Sequence, residues 1–216
     1  MRTSLLAAHQ AHIDLIATRA SELHASVNQF YGNDLPYAFH LRLAASYLTR
    51  FSDEIPMDED NIETLYAAIY FHDSLEDTRI TYNDLKKLFQ QFNQQGCSIH
   101  EVEAAEMVYA LTNDKGRTRA ERAGESYYQG IRTTPFASIL KFCDRMANVR
   151  FSTLFVPEQR MVQVYREENP HFVQSVATDA DTPVPQSMID ELSQLLKNNS
   201  LLFFDEASFP EIGTIA

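Results

Sequence analysis

The feature that most constrains the fold of this chain is the helical spacing of its apolar residues. Apolar side chains recur three or four positions apart along most of the sequence, and no stretch alternates with a period of two. Four helix-start patterns of the capping type accompany this spacing: Asp60-x-x-Glu63, Thr81-x-x-Asp84, Ser98-x-x-Glu101 and Thr118-x-x-Glu121. The chain has six glycines, where average usage gives about fifteen, which disfavours turn-rich β architectures. The sequence therefore predicts an all-α protein.

The length of 216 residues favours one domain. We expect a single helical domain over 1–198, followed by a C-terminal tail, 199–216, in which the apolar residues show no clear period. Pro36 stands where the first turn of a helix tolerates proline, so we expect it to begin the second helix.

The net charge limits the choice of partners. Lys and Arg number 18 against 30 Asp and Glu, a formal charge of −12, so we expect neither nucleic-acid nor membrane binding. The sequence has no glycine-rich phosphate loop. It also has no signal-peptide pattern, and Cys97 and Cys143 form no disulfide framework. These features favour a cytoplasmic protein, and a homo-oligomer is compatible with them.

A set of imidazoles and carboxylates lies within apolar helical segments. In chain order it comprises His40, His72-Asp73, Glu76-Asp77 and Asp144. If one helix continues through this region, His72 lies above Glu76 and Asp73 above Asp77, because positions four apart share a face. Each pair alone is most simply a surface group or a satisfied core histidine. Together they favour a metal site, since buried carboxylates need a cation, and manganese, iron and zinc all suit such ligands.

Four segments resemble the motifs of a known family. They are LPYAFHL (35–41), AAIYFHDSLEDT (67–78), YALTNDKGR (109–117) and ILKFCDRMANVR (139–150). They are similar to the hydrolase motifs of the RelA/SpoT-type alarmone pyrophosphohydrolases and their small stand-alone relatives, which are HD-domain metal-dependent phosphohydrolases. The resemblance covers about 35–152 and implies an HD-domain helical bundle.

The resemblance also implies roles for individual residues. His40, His72, Asp73 and Asp144 match the ligands of one divalent metal, usually Mn²⁺ in this family. Glu76 and Asp77 match the acidic pair that positions or deprotonates the attacking water, and Asn148 matches a substrate contact. A bound metal lowers the pKa of water and polarises a phosphoryl oxygen, and a nearby carboxylate takes the proton.

An anionic substrate needs local positive charge in so acidic a protein. The basic cluster Lys115, Arg117, Arg119 and Arg122 follows the third motif, and Lys141 and Arg145 flank Asp144. We expect Lys115, Arg117, Lys141 and Arg145 to include phosphate contacts. A solvated charge run, or a lysine that extends from the core edge, is the simpler alternative for each.

The sequence departs from the family at two places. Tyr31 and Gly32 occupy the positions of an Arg-Lys pair that binds the nucleotide, and Phe151 replaces a threonine. Tyr31 can stack on a base, but it lacks the donors of a guanidinium. The sequence therefore does not determine which phosphorylated nucleotide is the substrate, and guanosine 3′,5′-bis(diphosphate) is one candidate.

Two further readings remain. The chain is alternatively a non-catalytic nucleotide-binding regulatory module on the same scaffold, or a purely structural helical protein. His9 and His12, three positions apart in the first helix, can bind a metal, but packing or surface roles are favoured for them.

Overall fold

The computed structural model describes residues 2–32, 34–113, 117–155 and 160–197. Lys115 and the tail 199–216 lie outside the described residues, and so does the side chain of Arg119. The described part is almost entirely helical, which confirms the all-α prediction. Its helices are α1 (Arg2–Ala25), α2 (Ala38–Arg50), α3 (Ile62–Tyr70), α4 (Ser74–Asp77), α5 (Tyr82–Gln94), α6 (Glu101–Leu111), α7 (Arg119–Arg122), α8 (Glu125–Thr133), α9 (Ala137–Phe155), α10 (Arg160–Ala177) and α11 (Gln186–Lys197).

A short β-hairpin separates α1 from α2. Strand β1 (Phe30–Tyr31) pairs antiparallel with β2 (Leu35–Pro36). The prediction that Pro36 begins a helix is therefore wrong: it lies in a two-residue strand, and α2 begins at Ala38. A proline, which has no N–H to donate, is tolerated in so short an edge strand.

Two of the four predicted capping patterns form. Thr81 and Asp84 make a reciprocal capping box at the start of α5. At α7, the hydroxyl of Thr118 accepts a hydrogen bond from the backbone N–H of Glu121, whose carboxylate accepts one from the N–H of Thr118.

The other two patterns do not cap helices. The residue before α6 is His100, not Ser98, and the residue before α3 is Asn61, not Asp60. The side chain of Glu63 is buried instead of returning to the helix start. Its contacts lie on other elements, and these long-range contacts outweigh the local pattern.

Helices α3 and α9 lie at the centre of one continuous apolar core. Every residue of α3 is buried, and α2 packs against both α3 and α9. Helix α1 covers α3 from one side, while α10 and α11 cover α9. This packing brings the first turn of α2, the residues that follow α3 and the middle of α9 together. Among the described residues, no helix is both long enough and apolar enough to span a bilayer.

Candidate active site

Two imidazoles and two carboxylates meet where α2, α9 and the end of α3 converge. The Nε2 atoms of His40 and His72 lie 3.1 Å apart. Asp73 Oδ2 lies 2.9 Å from His72 Nε2 and 3.3 Å from His40 Nε2. Asp144 Oδ1 lies 3.4 Å from His40 Nε2 and 3.7 Å from His72 Nε2. One atom of each of the four predicted ligands therefore faces the same small volume.

A backbone carbonyl of α3 orients the imidazole of His72. Its Nδ1 lies 2.7 Å from the carbonyl oxygen of Ile69 and donates to it, so Nε2 is the nitrogen that faces Asp73 and Asp144. Metal-binding histidines are commonly fixed by such a backbone hydrogen bond. Both imidazoles are almost completely buried. The donor set fits a divalent metal ion, since two buried imidazole nitrogens and two carboxylate oxygens converge there.

The electrostatics of this cluster follow from its composition. Burial opposes ionisation of Asp73, but the charge of His72 and hydrogen bonds from both imidazoles hold its pKa well below the usual value. The pKa of Asp144 is low because Lys141 and the imidazoles likewise outweigh burial. Burial lowers the pKa of His40 and of His72, but the carboxylates of Asp73 and Asp144 outweigh burial and raise both pKa values. Without a metal the cluster holds protons, which a cation would displace.

Asp144 is held from two sides by its own helix. Lys141 Nζ lies 3.0 Å from Asp144 Oδ2, and Asn148 Nδ2 donates to Asp144 Oδ1 over 2.6 Å. The hydroxyl of Tyr31 donates in turn to Asn148 Oδ1 over 2.9 Å. The ring of Tyr31 lies 4.8 Å from that of His40 and 4.4 Å from that of Phe151. Tyr31 therefore uses its ring and its hydroxyl on neighbouring site residues.

Tyr37 is a site residue that the sequence analysis missed. Its hydroxyl donates to Asp73 Oδ2 over 2.5 Å and lies 3.3 Å from Asp77 Oδ2. Its ring stacks on the buried His24, with centroids 4.6 Å apart. Tyr37 lies within the first motif, three positions before His40, and that spacing of about one helical turn is the signal that could have identified it.

The acidic pair Glu76 and Asp77 lies on α4, not on an extension of α3. The continuous helix that would place His72 above Glu76 is absent, because α3 ends at Tyr70 and the chain turns before α4 begins. At this turn Ser74 donates through both N–H and hydroxyl to the carbonyl of Phe71, which tightens the backbone. Asp77 stays near Asp73, because its N–H still donates to the carbonyl of Asp73.

Each member of the pair has its own polar partner. Glu76 accepts hydrogen bonds from the backbone N–H and the side-chain amide of Asn113. Asp77 accepts one from Gln29 Nε2 over 2.6 Å. Burial and the nearby charge of Asp73 raise the pKa of Asp77. Gln29 and Asn113 were not among the predicted site residues.

These groups open onto a cavity of about 590 Å³. Its lining includes His40, Asp73, Glu76, Asp77, Asn113, Arg122, Tyr127, Lys141, Asp144, Arg145, Asn148, Tyr165, His171 and Phe172. The guanidinium of Arg145 lies 4.8 Å from the ring centroid of Tyr165 and 4.4 Å from that of Phe172, and it pairs with Glu168 over 3.1 Å. Of the predicted phosphate contacts, Lys141 and Arg145 line the cavity.

Two other predicted contacts, Arg117 and Tyr31, lie outside the lining. Arg117 is exposed and is not part of the lining. Tyr31 is also absent from the lining, since it lies behind His40 and Asn148. The lining residues Tyr127, Tyr165 and His171 were not predicted. Their apolar or aromatic character resembles that of core residues, so their sequence gave no signal of a cavity.

Comparison with known proteins shows what the chain is similar to. No protein-family model matches it. Over 107 residues it is 27% identical to guanosine-3′,5′-bis(diphosphate) 3′-pyrophosphohydrolase MESH1 of Danio rerio, a match that covers 50% of this chain and 53% of the relative. The chain thus spans about half the length of the curated relative that it matches.

The fold agrees with that of a solved relative. The structure of a metazoan orthologue of SpoT that hydrolyses ppGpp superposes with a TM-score of 0.58 at 18% identity, covering 89% of this chain and 97% of that one. At this identity the likeness concerns the fold alone. The two comparisons confirm the resemblance predicted from the motifs: this chain is similar to the small HD-domain alarmone hydrolases in sequence and has their all-α fold.

Proposed function

We propose that this protein is a metal-dependent phosphohydrolase that cleaves a phosphoester or pyrophosphate bond of a nucleotide-like substrate. The observation that carries the proposal is the convergence of His40, His72, Asp73 and Asp144 beside the acidic pair of α4, at a cavity wall. Guanosine 3′,5′-bis(diphosphate) is the first candidate substrate, because it is the one that the relatives' names give.

The four convergent side chains would hold one divalent cation, with Mn²⁺ as the proposed metal. Such an ion, when bound, lowers the pKa of water and polarises a phosphoryl oxygen. The chain prepares the ligands for it: Ile69 orients His72, Tyr37 orients Asp73, and Asn148 orients Asp144. This orientation reduces the rearrangement that binding requires.

Asp77 is the proposed proton acceptor. Its raised pKa makes it a stronger base than an ordinary carboxylate, and it lines the cavity next to Asp73. Glu76 lines the cavity as well, but Asn113 fixes its carboxylate through hydrogen bonds to both oxygens. We assign Glu76 to positioning the attacking water, and Asp77 to taking its proton.

The basic lining residues are suited to an anionic substrate. Arg145 is held between Tyr165 and Phe172, and a stacked guanidinium keeps a fixed fork of donors. Burial opposes the charge of Lys141, but the interactions with Tyr127 and with the Asp144 carboxylate outweigh it and raise the pKa of Lys141, so this residue stays cationic. A cavity of about 590 Å³ is within the roughly 300–1,000 Å³ range of small-ligand sites.

We also propose where the enzyme acts and what class of compound it binds. We propose a cytoplasmic enzyme, since Cys97 and Cys143 are buried thiols of the kind found in a reducing compartment. The substrate partner is a small anionic phosphate compound.

Two variants separate metal binding from turnover. Asp73→Asn should abolish both bound Mn²⁺ and hydrolysis, because it removes a ligand charge. Glu76→Gln should keep the metal and lower turnover by about 10²–10⁴-fold, the usual contribution of a group that handles the proton or the water. Metal content is measured by elemental analysis. Hydrolysis is followed as phosphate and pyrophosphate release from nucleotides, 3′-pyrophosphorylated ones included.

Glu59→Gln is the matched control, because it makes the same change at an exposed residue outside the cavity. It should leave both measurements unchanged. Nucleotide binding without turnover in the metal-loaded protein would favour the alternative of a regulatory module. A protein that takes up no stoichiometric Mn²⁺ and hydrolyses none of these nucleotides would contradict the proposal.

A further inference from the structure

A second group of potential metal ligands lies away from the cavity, between α1 and α3. Its members are His9 and His12 of α1 and Glu63 of α3. The Nδ1 atoms of the two histidines lie 2.5 Å and 2.7 Å from the same oxygen, Glu63 Oε1. The Glu63 side chain is 1% exposed, while those of His9 and His12 are 15% and 36% exposed.

The packing of α1 against α3 brings these three side chains together. His9 and His12 are three positions apart and therefore share one face of α1, which packs along α3. Glu63 lies in the first turn of α3 and points toward that face instead of toward its own helix start. Its second oxygen, Oε2, accepts a hydrogen bond from the backbone N–H of Ser98 over 2.6 Å. Both carboxylate oxygens are thus fixed.

The burial of Glu63 points to a cation. Its side chain is 1% exposed, with Oε1 facing the two imidazoles and Oε2 facing the N–H of Ser98. A carboxylate enclosed in this way is costly to bury without positive charge beside it. A divalent ion bound by the same three side chains would supply that charge, and the two imidazoles would then act through their lone pairs.

The donor atoms of His9, His12 and Glu63 indicate which ion they would bind. Two imidazoles and a carboxylate form a ligand set that zinc uses, with a fourth position left to water. The Sγ atom of Cys97 is not among the ligand atoms that converge there. The site is therefore a nitrogen and oxygen site without thiolate.

We propose that His9, His12 and Glu63 bind one Zn²⁺, at a site separate from the ligands of the cavity. The ion would join α1 to α3, and through Ser98 to the loop before α6. The proposal does not depend on hydrolysis, because none of these residues lines the cavity.

The test counts zinc in the full-length protein with the cavity site disabled. Metal-stripped Asp73→Asn protein, equilibrated with ZnCl₂ and passed over a desalting column, should retain one zinc per chain by elemental analysis. Adding His12→Gln should weaken Zn²⁺ binding by more than about 100-fold in a competition titration, since loss of a ligand exceeds the effect of losing its supporting partner. His12 is partly exposed, so this variant should fold.

His100→Gln is the matched control, because His100 is an exposed histidine that contacts Asp60, outside this cluster. It should retain zinc with unchanged affinity. If Asp73→Asn does not fold, the same comparison in the unmodified chain should show one zinc lost on His12→Gln. Retention of no zinc by the Asp73→Asn protein, or equal zinc binding with and without His12, would overturn the proposal.

Discussion

The hydroxyl of Tyr37 contacts two carboxylates of the candidate site. It donates to Asp73 and also lies near Asp77, so it connects a proposed ligand with the proposed proton acceptor. Without it, Asp73 would lose the contact that orients its carboxylate. The ring of Tyr37 would still be held by its stacking on His24. Removal of the hydroxyl alone therefore tests whether Tyr37 orients the carboxylate of Asp73.

We expect Tyr37→Phe to weaken Mn²⁺ binding by about 10–100-fold, the usual effect of removing a group that orients a ligand. The fold should be unchanged, because the ring is kept. The measurement is a Mn²⁺ titration of metal-stripped protein. Tyr109→Phe, which removes a hydroxyl from an exposed ring, should bind Mn²⁺ as the unmodified chain does. Equal affinity in Tyr37→Phe would show that Asp73 needs no such support.

Single residues also show which parts of the site were accessible to prediction. His40, His72, Asp73 and Asp144 are visible in the sequence because polar residues are unusual in apolar helical segments. Tyr37 and Tyr127 are not, since a tyrosine beside apolar residues is usual in a core. Their roles depend on which distant carboxylate or lysine they meet, and the sequence does not give that distance.

At the scale of elements, the hairpin before α2 is tied to the end of α9 by Gly32. Gly32 has a φ of +63°, and a Cβ built there would lie 2.8 Å from Cζ of Phe151. Phe151 in turn packs on Tyr31. The two sequence departures from the family, at 31–32 and at 151, thus meet in one contact.

Gly32→Ala should lower the free energy of unfolding by about 1–2 kcal/mol through the left-handed backbone alone, and further through the clash with Phe151. Denaturant unfolding measures the loss. Gly130→Ala in α8 is the control, because no atom beyond its chain neighbours and the local helix backbone lies within 4 Å of its Cβ position. It should stabilise the protein by about 0.5–1 kcal/mol. A neutral Gly32→Ala would mean that the hairpin adjusts freely.

The capping box of α5 predicts that the free energy of unfolding depends on pH. Hydrogen bonds from the side chain and backbone of Thr81 lower the pKa of Asp84 below its ordinary value of 3.8. A lowered carboxyl pKa contributes stability above the unfolded pKa, and this contribution is lost as the pH falls through the folded pKa. Asp84→Asn should therefore destabilise the protein at pH 7 and have a smaller effect near pH 3, as measured by urea unfolding at both values. Glu59→Gln should show no such difference, and an effect of equal size at both pH values would argue against the capping role.

Local patterns account for the elements that were predicted well. The boxes at Thr81 and Thr118 need only residues within one turn, so the sequence contains all of their determinants. The same pattern at Asp60 and Glu63 fails because Glu63 meets His9, 54 positions away. The helical continuity assumed between His72 and Glu76 fails for a different reason: the apolar run continues through Phe71 and hides the turn.

At the scale of the whole molecule, metal removal should be visible as a loss of stability. The cavity cluster places two carboxylates and two imidazoles close together, and a cation that binds only the folded state stabilises it by mass action. At 100 times its Kd, Mn²⁺ contributes about 2.7 kcal/mol, which raises Tm on the order of 5–10 °C for a protein of this size.

A thermal scan of metal-stripped protein with and without Mn²⁺ measures this difference. Asp73→Asn is the control and should show no rise, because the ligand set is incomplete. A rise of the same size in Asp73→Asn would place the stabilising ion elsewhere in the protein.

The positions of the four proposed ligands also set the order of events during synthesis. They extend from His40 on α2 to Asp144 on α9, and the supporting bond from Tyr31 to Asn148 spans 117 positions. Domains generally fold as units, and α1, α2 and α3 leave the ribosome well before the rest of this one. The nascent chain cannot complete the ligand set until α9 has emerged. Metal capture would thus be a late event, and a chain truncated before α9 would lack the fourth ligand however well its first helices pack.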